Sequence, residues 1–131
     1  MNYTLDHPTR VKSFVLIGGQ YEMPKLLLKV QNVIFRVLPK GVFQKMGFSK
    51  NDFIQLTNSM MDINFSKDLK KVACDTLVIC GEKDKVNKKA AISLGKCIAQ
   101  AELQMVKDAG HEVNVEAPKQ LAEILEIFYL K

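Results

Sequence analysis

The sequence predicts an α/β protein with about three parallel strands and flanking helices. Three observations predict it. Thr76-Leu77-Val78-Ile79-Cys80 is a continuous run rich in β-branched residues, too short for a helix and closed by Gly81. Such a run marks a strand buried on both faces. Phe14-Val15-Leu16-Ile17 repeats the pattern before Gly18-Gly19, and stretches with helical apolar spacing lie between the strands, as crossovers between parallel strands require.

Taken in order, residues 1–7 are helix-compatible and stop at Pro8, because a proline disfavours helical geometry in the residue before it. Residues 11–17 form the first strand, with the run 14–17 buried on both faces. A Gly-Gly after a strand can cradle phosphate. No Gly-x-Gly-x-x-Gly or Gly-Lys-Ser/Thr follows here, so a plain strand-ending turn is expected. Over 23–38, Leu26, Val30, Val33, Ile34 and Val37 share one helical face, opposite Lys25, Lys29, Asn32 and Arg36. Pro39 ends that helix and Lys40-Gly41 turns the chain. Ser49 followed by Asp52 predicts an N-cap, and Phe53, Leu56 and Met60 then share a face of the next helix.

Residues 66–72 make a short helical approach to the strand at 75–80. Asn87 is a good N-cap for a helix reaching about residue 99, with Ala91, Leu94 and Ile98 facing the sheet. Lys88 and Lys89 oppose the dipole at that end. Residues 103–106 supply the third strand. Pro118 suits the first turn of the last helix, whose Leu121, Ile124, Leu125 and Phe128 share a face. The crossovers are expected to be right-handed.

A chain of 131 residues is one domain's worth, and 47% hydrophobic with 25% charged residues and no low-complexity tract excludes disorder. No apolar run approaches the roughly 18 residues of a membrane helix, and the N-terminus lacks the layout of a signal peptide. The expectation is a cytoplasmic protein with no membrane partner. Cys74, Cys80 and Cys97 are odd in number and lack a Cys-x-x-Cys spacing, with only His7 and His111 to complete a metal shell. Buried reduced thiols are expected, with no metal, disulfide or cofactor. The net charge of +5 admits an anionic partner. The lysine clusters at 67, 70 and 71 and at 83, 85, 88 and 89 carry no interleaved aromatics, so solvated faces are expected and no nucleic acid.

A carboxylate placed just past one strand and a histidine just past the next lie at one edge of a parallel sheet. The order Thr-Leu-Val-Ile-x-Gly-Glu-x-Asp at 76–84, a helix, Ala109-Gly110-His111, then Glu116-x-Pro118 and an apolar helix resembles the closing half of the α/β-hydrolase fold family. The resemblance implies one partial domain over 1–131, with a helical cap-like insertion at 20–64 and a βαβα segment at 65–131. It implies Asp84 as the acid and His111 as the base of a Ser-His-Asp triad that hydrolyses an ester or related carbonyl compound. Asp108 and Glu116 are nearby acids, but they share the histidine's own loop. Asp75 and Asn87 stand where relatives often have proline. Phe43, Met46, Phe48, Met60 and Met61 either line an apolar acyl pocket for a small hydrophobic ester-type substrate or simply pack against the sheet.

The triad needs a serine on a strained Gly-x-Ser-x-Gly elbow, where side chains around the nucleophile have no room. None of the seven glycines has a second glycine four places on, and Ser13, Ser49, Ser59, Ser66 and Ser93 fall in strand, helix or cap contexts. Acid and base are therefore expected without a nucleophile, in a chain inactive alone. The alternative is a non-catalytic remnant or interaction module. The family's first five strands have no counterpart in these residues, which leaves the strand at 11–17 with an open apolar edge. Such edges recruit other chains, so the expected partner is a second copy or a separately encoded N-terminal half.

Overall fold

The computed structural model describes residues 1–45, 47 and 49–131. In chain order the elements are α1 (Asn2–Asp6), a 3-10 turn (Pro8–Arg10), β1 (Ser13–Ile17), α2 (Lys25–Val37), α3 (Lys40–Lys45), α4 (Lys50–Met60), a second 3-10 turn (Leu69–Lys71), β2 (Asp75–Gly81), α5 (Lys88–Cys97), β3 (Ala101–Val106), α6 (Val113–Glu116) and α7 (Pro118–Tyr129). They fall into two compact units, residues 22–65 and the remainder. No helix among the described residues is long and apolar enough to cross a membrane.

The larger unit is built on a three-stranded parallel sheet in the order β1-β2-β3. Phe14 stands opposite Thr76 and Ile17 opposite Ile79, while Thr76 faces Ala101 and Gly81 faces Val106. The central strand carries the continuous hydrophobic run because both of its faces are covered: every residue from Thr76 to Gly81 is buried. Successive side chains alternate between faces. Leu77 and Ile79 join Val106, Ala109, Val113, Ala117 and Leu121 in one cluster, with Val15, Ile124, Leu125 and Phe128 packed against it. α5 packs on β2 and β3, and its Ala90, Ala91 and Leu94 are buried with Ile98.

The edge strands differ from the centre. β3 alternates half-buried Ala101, Leu103 and Met105 with exposed Glu102 and Gln104, so one of its faces is solvated. β1 was expected to be buried on both faces, yet none of its residues is fully buried and Ile17 is 40% exposed. The reason is its position: among the described residues only β2 flanks it. Cys74 and Cys80 are buried thiols as expected, whereas Cys97, in the last turn of α5, is exposed.

The smaller unit holds α2, α3 and α4, closed by an antiparallel bridge between Glu22 and Asn64. Pro39 ends α2 by holding Leu38 in an extended conformation. It then opens α3, where the sequence had indicated only a turn, and its carbonyl accepts from Val42 N–H. Ser49 caps α4 through the Asp52 amide as expected, at 3.1 Å. The core of this unit is aromatic. Phe35, Phe43 and Phe53 meet pairwise with centroids 5.1–5.7 Å apart, two of the three pairs edge-on.

That cluster overturns the expected orientation of α2. Leu28 and Asn32 are its buried residues, and Asn32 donates to Asn58 Oδ1 at 2.6 Å. Leu26, Val30, Val33, Ile34 and Val37 instead form an exposed aliphatic stripe, together with Leu27. Apolar spacing identifies a face without saying which side meets the neighbours; here the rings of Phe35, Phe43 and Phe53 decide it. Leu56, which shares a face of α4 with Phe53 and Met60 by its spacing, is likewise exposed, while Thr57 is buried. Phe43 is a core residue rather than a pocket liner, Met60 and Met61 are half-buried, and Met46 and Phe48 lie outside the described residues.

These burials set opposite expectations for two leucines. Leu94→Ala, at a fully buried site, lowers the unfolding free energy by about 3 kcal/mol in urea titrations followed by circular dichroism. Leu26→Ala, on the exposed stripe, changes it by less than about 0.5 kcal/mol.

Candidate active site

Three strand ends converge at one sheet edge: Gly18 after β1, Asp84 after β2 and His111 after β3. The approach begins with backbone. β2 runs into a turn in which Asp84 N–H donates to Gly81 O at 3.1 Å. Glu82 N–H donates to Val106 O and Lys83 N–H to Ala109 O, both at 2.9 Å, so the acid's turn is stitched to the histidine's loop. Gly81 makes this contact possible. A Cβ there would lie 1.9 Å from the Gly110 carbonyl oxygen and 2.5 Å from that of Ala109.

The histidine's loop is anchored on both sides of the ring. Buried Ala109 and Val113 pin it to the core. Glu116 accepts from Gly110 N–H at 2.8 Å and from Glu112 N–H at 3.2 Å, so its carboxylate straddles His111. Asp108, in the left-handed region at φ 63°, pairs with Lys83 at 3.1 Å on the surface. Neither of these acids is a described partner of the imidazole.

Asp84 is that partner. Its side chain is 3% exposed against 65% for His111, and Oδ2 lies 2.9 Å from Nδ1. Asn87 supplies two further donors, its backbone N–H to Oδ1 at 3.1 Å and its Nδ2 to Oδ2 at 2.7 Å. Burial alone would raise the Asp84 pKa. The hydrogen bonds from the Asn87 side chain, His111 and the Asn87 backbone, with the imidazole's charge, more than offset it and hold the carboxyl below its ordinary value. An ionised carboxylate only accepts, so Nδ1 carries the proton toward Asp84 and Nε2 is left as the basic nitrogen. Nε2 has no hydrogen bond among the described residues.

Gly18 closes the site from the β1 side. It sits at φ +57°, donates its N–H to Ile79 O at 2.9 Å, and a Cβ there would lie 3.0 Å from His111 Nδ1. The sequence marked it only as a strand-ending turn. A glycine just past a strand at the site edge was the available signal, but nothing local indicated the ring beside it. Asn87 was expected to cap α5; its side chain makes no cap bond and serves Asp84 instead. Glu116, a nearby acid in the sequence, braces the loop instead.

Of the serines, Ser49 caps α4, Ser59 bonds the Leu56 carbonyl, Ser13 opens β1 and Ser93 lies within α5. The Cys80 thiol is no substitute nucleophile, since burial and the Asp84 charge push its pKa up against the weaker pull of Lys88. Among the described residues, no group of three or more His, Cys, Asp and Glu could hold a metal ion.

Comparison with known proteins agrees with this architecture. No family model matches the sequence. Monoacylglycerol lipase ABHD6 of Mus musculus is 24% identical over 116 residues, covering 82% of this chain and 34% of the lipase. The chain thus spans about a third of the length of the curated relatives it matches. Among solved structures, the enol-lactonase from Burkholderia xenovorans LB400 superimposes with a TM-score of 0.84 at 13% identity, over 98% of this chain and 60% of that one. MGS-M2, an α/β hydrolase from a Medee basin deep-sea metagenome library, does so with a TM-score of 0.80 at 19% identity, over 99% and 60%. The chain is a partial α/β-hydrolase-fold protein.

The close pass at Gly81 carries the site, and one methyl group tests it. Gly81→Ala separates the two loops, costing about 3 kcal/mol in denaturant unfolding. The low-field Nδ1–H proton of His111 disappears from the NMR spectrum with it. A variant that keeps both stability and that proton contradicts the geometry described.

Proposed function

We propose that this chain is the acid-and-base portion of an α/β-hydrolase-type enzyme that cleaves an ester or related carbonyl compound, with the serine supplied from outside these residues. The observation that carries the reading is the 2.9 Å contact between buried Asp84 and exposed His111, with Nε2 unengaged. In the reaction, serine attacks the carbonyl as Nε2 takes its proton, and Nε2 returns the proton to the leaving alkoxide. Water, deprotonated by Nε2, then attacks the acyl-serine, and Nε2 gives that proton back to the serine as the carboxylic acid leaves. Asp84 remains ionised throughout, fixing the tautomer and stabilising the imidazolium, and its lowered pKa suits that role. The oxyanion donors of such a site come from the segment bearing the nucleophile. The likeness to a monoacylglycerol lipase supports a small hydrophobic ester as substrate, and the chain alone is inactive.

A second reading, a non-catalytic module that pairs with a second copy, is favoured by β1. Among the described residues that strand pairs with β2 alone, and its other edge offers unpaired backbone groups. Both readings require a partner and differ in its identity: a polypeptide with a Gly-x-Ser-x-Gly elbow, or this same chain.

Two measurements decide. Combined with a polypeptide encoded beside it that carries the elbow, the chain hydrolyses p-nitrophenyl esters, and His111→Ala lowers that rate at least about 1,000-fold. A mixture that stays inert and takes up no serine-directed fluorophosphonate removes the enzyme reading. In size-exclusion chromatography with light scattering, the chain on its own runs as a dimer or larger species; a clean monomer at high concentration removes the self-pairing one.

A further inference from the structure

The amide of Asn87 lies against both members of the pair. Its Nδ2 is 2.7 Å from Asp84 Oδ2 and 3.0 Å from His111 Nδ1, and those two atoms are 2.9 Å apart. The three atoms form a nearly equilateral triangle. The two hydrogens of a planar amide diverge by about 120°, so one aimed at Oδ2 leaves neither aimed at Nδ1. The contact between the nitrogens is therefore the third side of the triangle: two donors lie side by side on a single acceptor oxygen.

The direction of the amide is itself fixed. Gln20 Nε2 donates to Asn87 Oδ1 at 2.7 Å and also reaches the Val86 carbonyl at 3.3 Å. With Oδ1 committed as an acceptor, Asn87 must present Nδ2 to the carboxylate. Asn87 is 7% exposed, so its polar atoms have little recourse to water. Its backbone N–H already pins Asp84 through Oδ1, which leaves the side-chain amide a separate task at Oδ2.

We propose that Asn87 is a positioning residue for the Asp84–His111 pair, sharing the Oδ2 acceptor with the imidazole, and that Gln20 fixes which end of its amide is presented. The consequence is a tempered acid. A carboxylate oxygen that accepts from two donors gives less of its charge to either. The inference rests on the hydrolase reading for its importance but not for its test, because the contacts lie within this chain and need no nucleophile.

The test is NMR of the isolated chain, whose two histidines make assignment simple and provide His7 as an internal control. In Asn87→Leu, the His111 Nδ1–H proton moves downfield by about 0.5 ppm or more as its bond to Oδ2 shortens, and the Asp84 carboxyl titrates at higher pH. Gln20→Met, which frees the amide to turn, shifts both readouts the same way by less, and it removes no contact to Asp84 should Asn87→Leu fail to fold. His7 is unmoved in each. An Nδ1–H proton that stays in place or moves upfield in the folded variants overturns the proposal while leaving the hydrolase reading intact. If Asp84→Asn leaves the His111 resonances unchanged, the pair itself is refuted, whatever Asn87 does.

Discussion

The site depends on a backbone passing within contact distance of another at a position where no side chain fits. Gly81 ends the central strand, and the carbonyl of Gly110 occupies the space a Cβ would need. Because β2 and β3 are paired up to Gly81 and Val106, the two loops leave the sheet in register. Hydrogen bonds from Glu82 and Lys83 continue the pairing past the last strand residues. The separation of acid and base is thus a property of the sheet and its first loop contacts. No nucleophile is needed to set it.

Given that frame, the burial of Asp84 becomes tolerable. A carboxylate withdrawn from water is costly unless its oxygens are supplied with donors. Asp84 has three, two from Asn87 and one from the imidazole, which is why it stays ionised despite burial. The imidazole keeps contact with solvent on its far side, so only one member of the pair bears the full desolvation. An exposed histidine braced by a buried acid is the arrangement a general base requires, with a fixed tautomer and an open nitrogen.

Much of this was legible in the sequence, and what was not had specific causes. The hydrophobic run at 76–80, the spacing of Leu94 and Ile98, and Pro118 all report local preferences that burial then reinforced. Asp84 and His111 were legible because strand-end positions in a parallel sheet are brought to one edge. Asn87 was visible only as a capping residue, since its amide partner lies on the far side of a turn and its orienting Gln20 is 67 residues away in sequence. The inward face of α2 was illegible for a different reason. Both the aliphatic stripe and the face bearing Leu28 and Phe35 are apolar enough to be buried, and the choice rests on Phe43 and Phe53, which no period in α2 encodes. Likewise α3 was hidden by Pro39, which both stops one helix and suits the start of another.

The exposed apolar surface bears on what a partner must provide. β1 is five residues long, and in a parallel strand only alternate backbone groups face the open edge. At a net gain of about 1 kcal/mol for each hydrogen bond, that edge offers a few kcal/mol. Association of two polypeptides costs about 4–15 kcal/mol before any net affinity appears. Strand pairing alone therefore gives direction and register but not stable binding, and apolar burial must supply the rest at about 25 cal/mol per Å2. On β1 itself, Ile17 stands exposed to do so. A partner that added a strand to β1 without covering apolar surface would be held weakly.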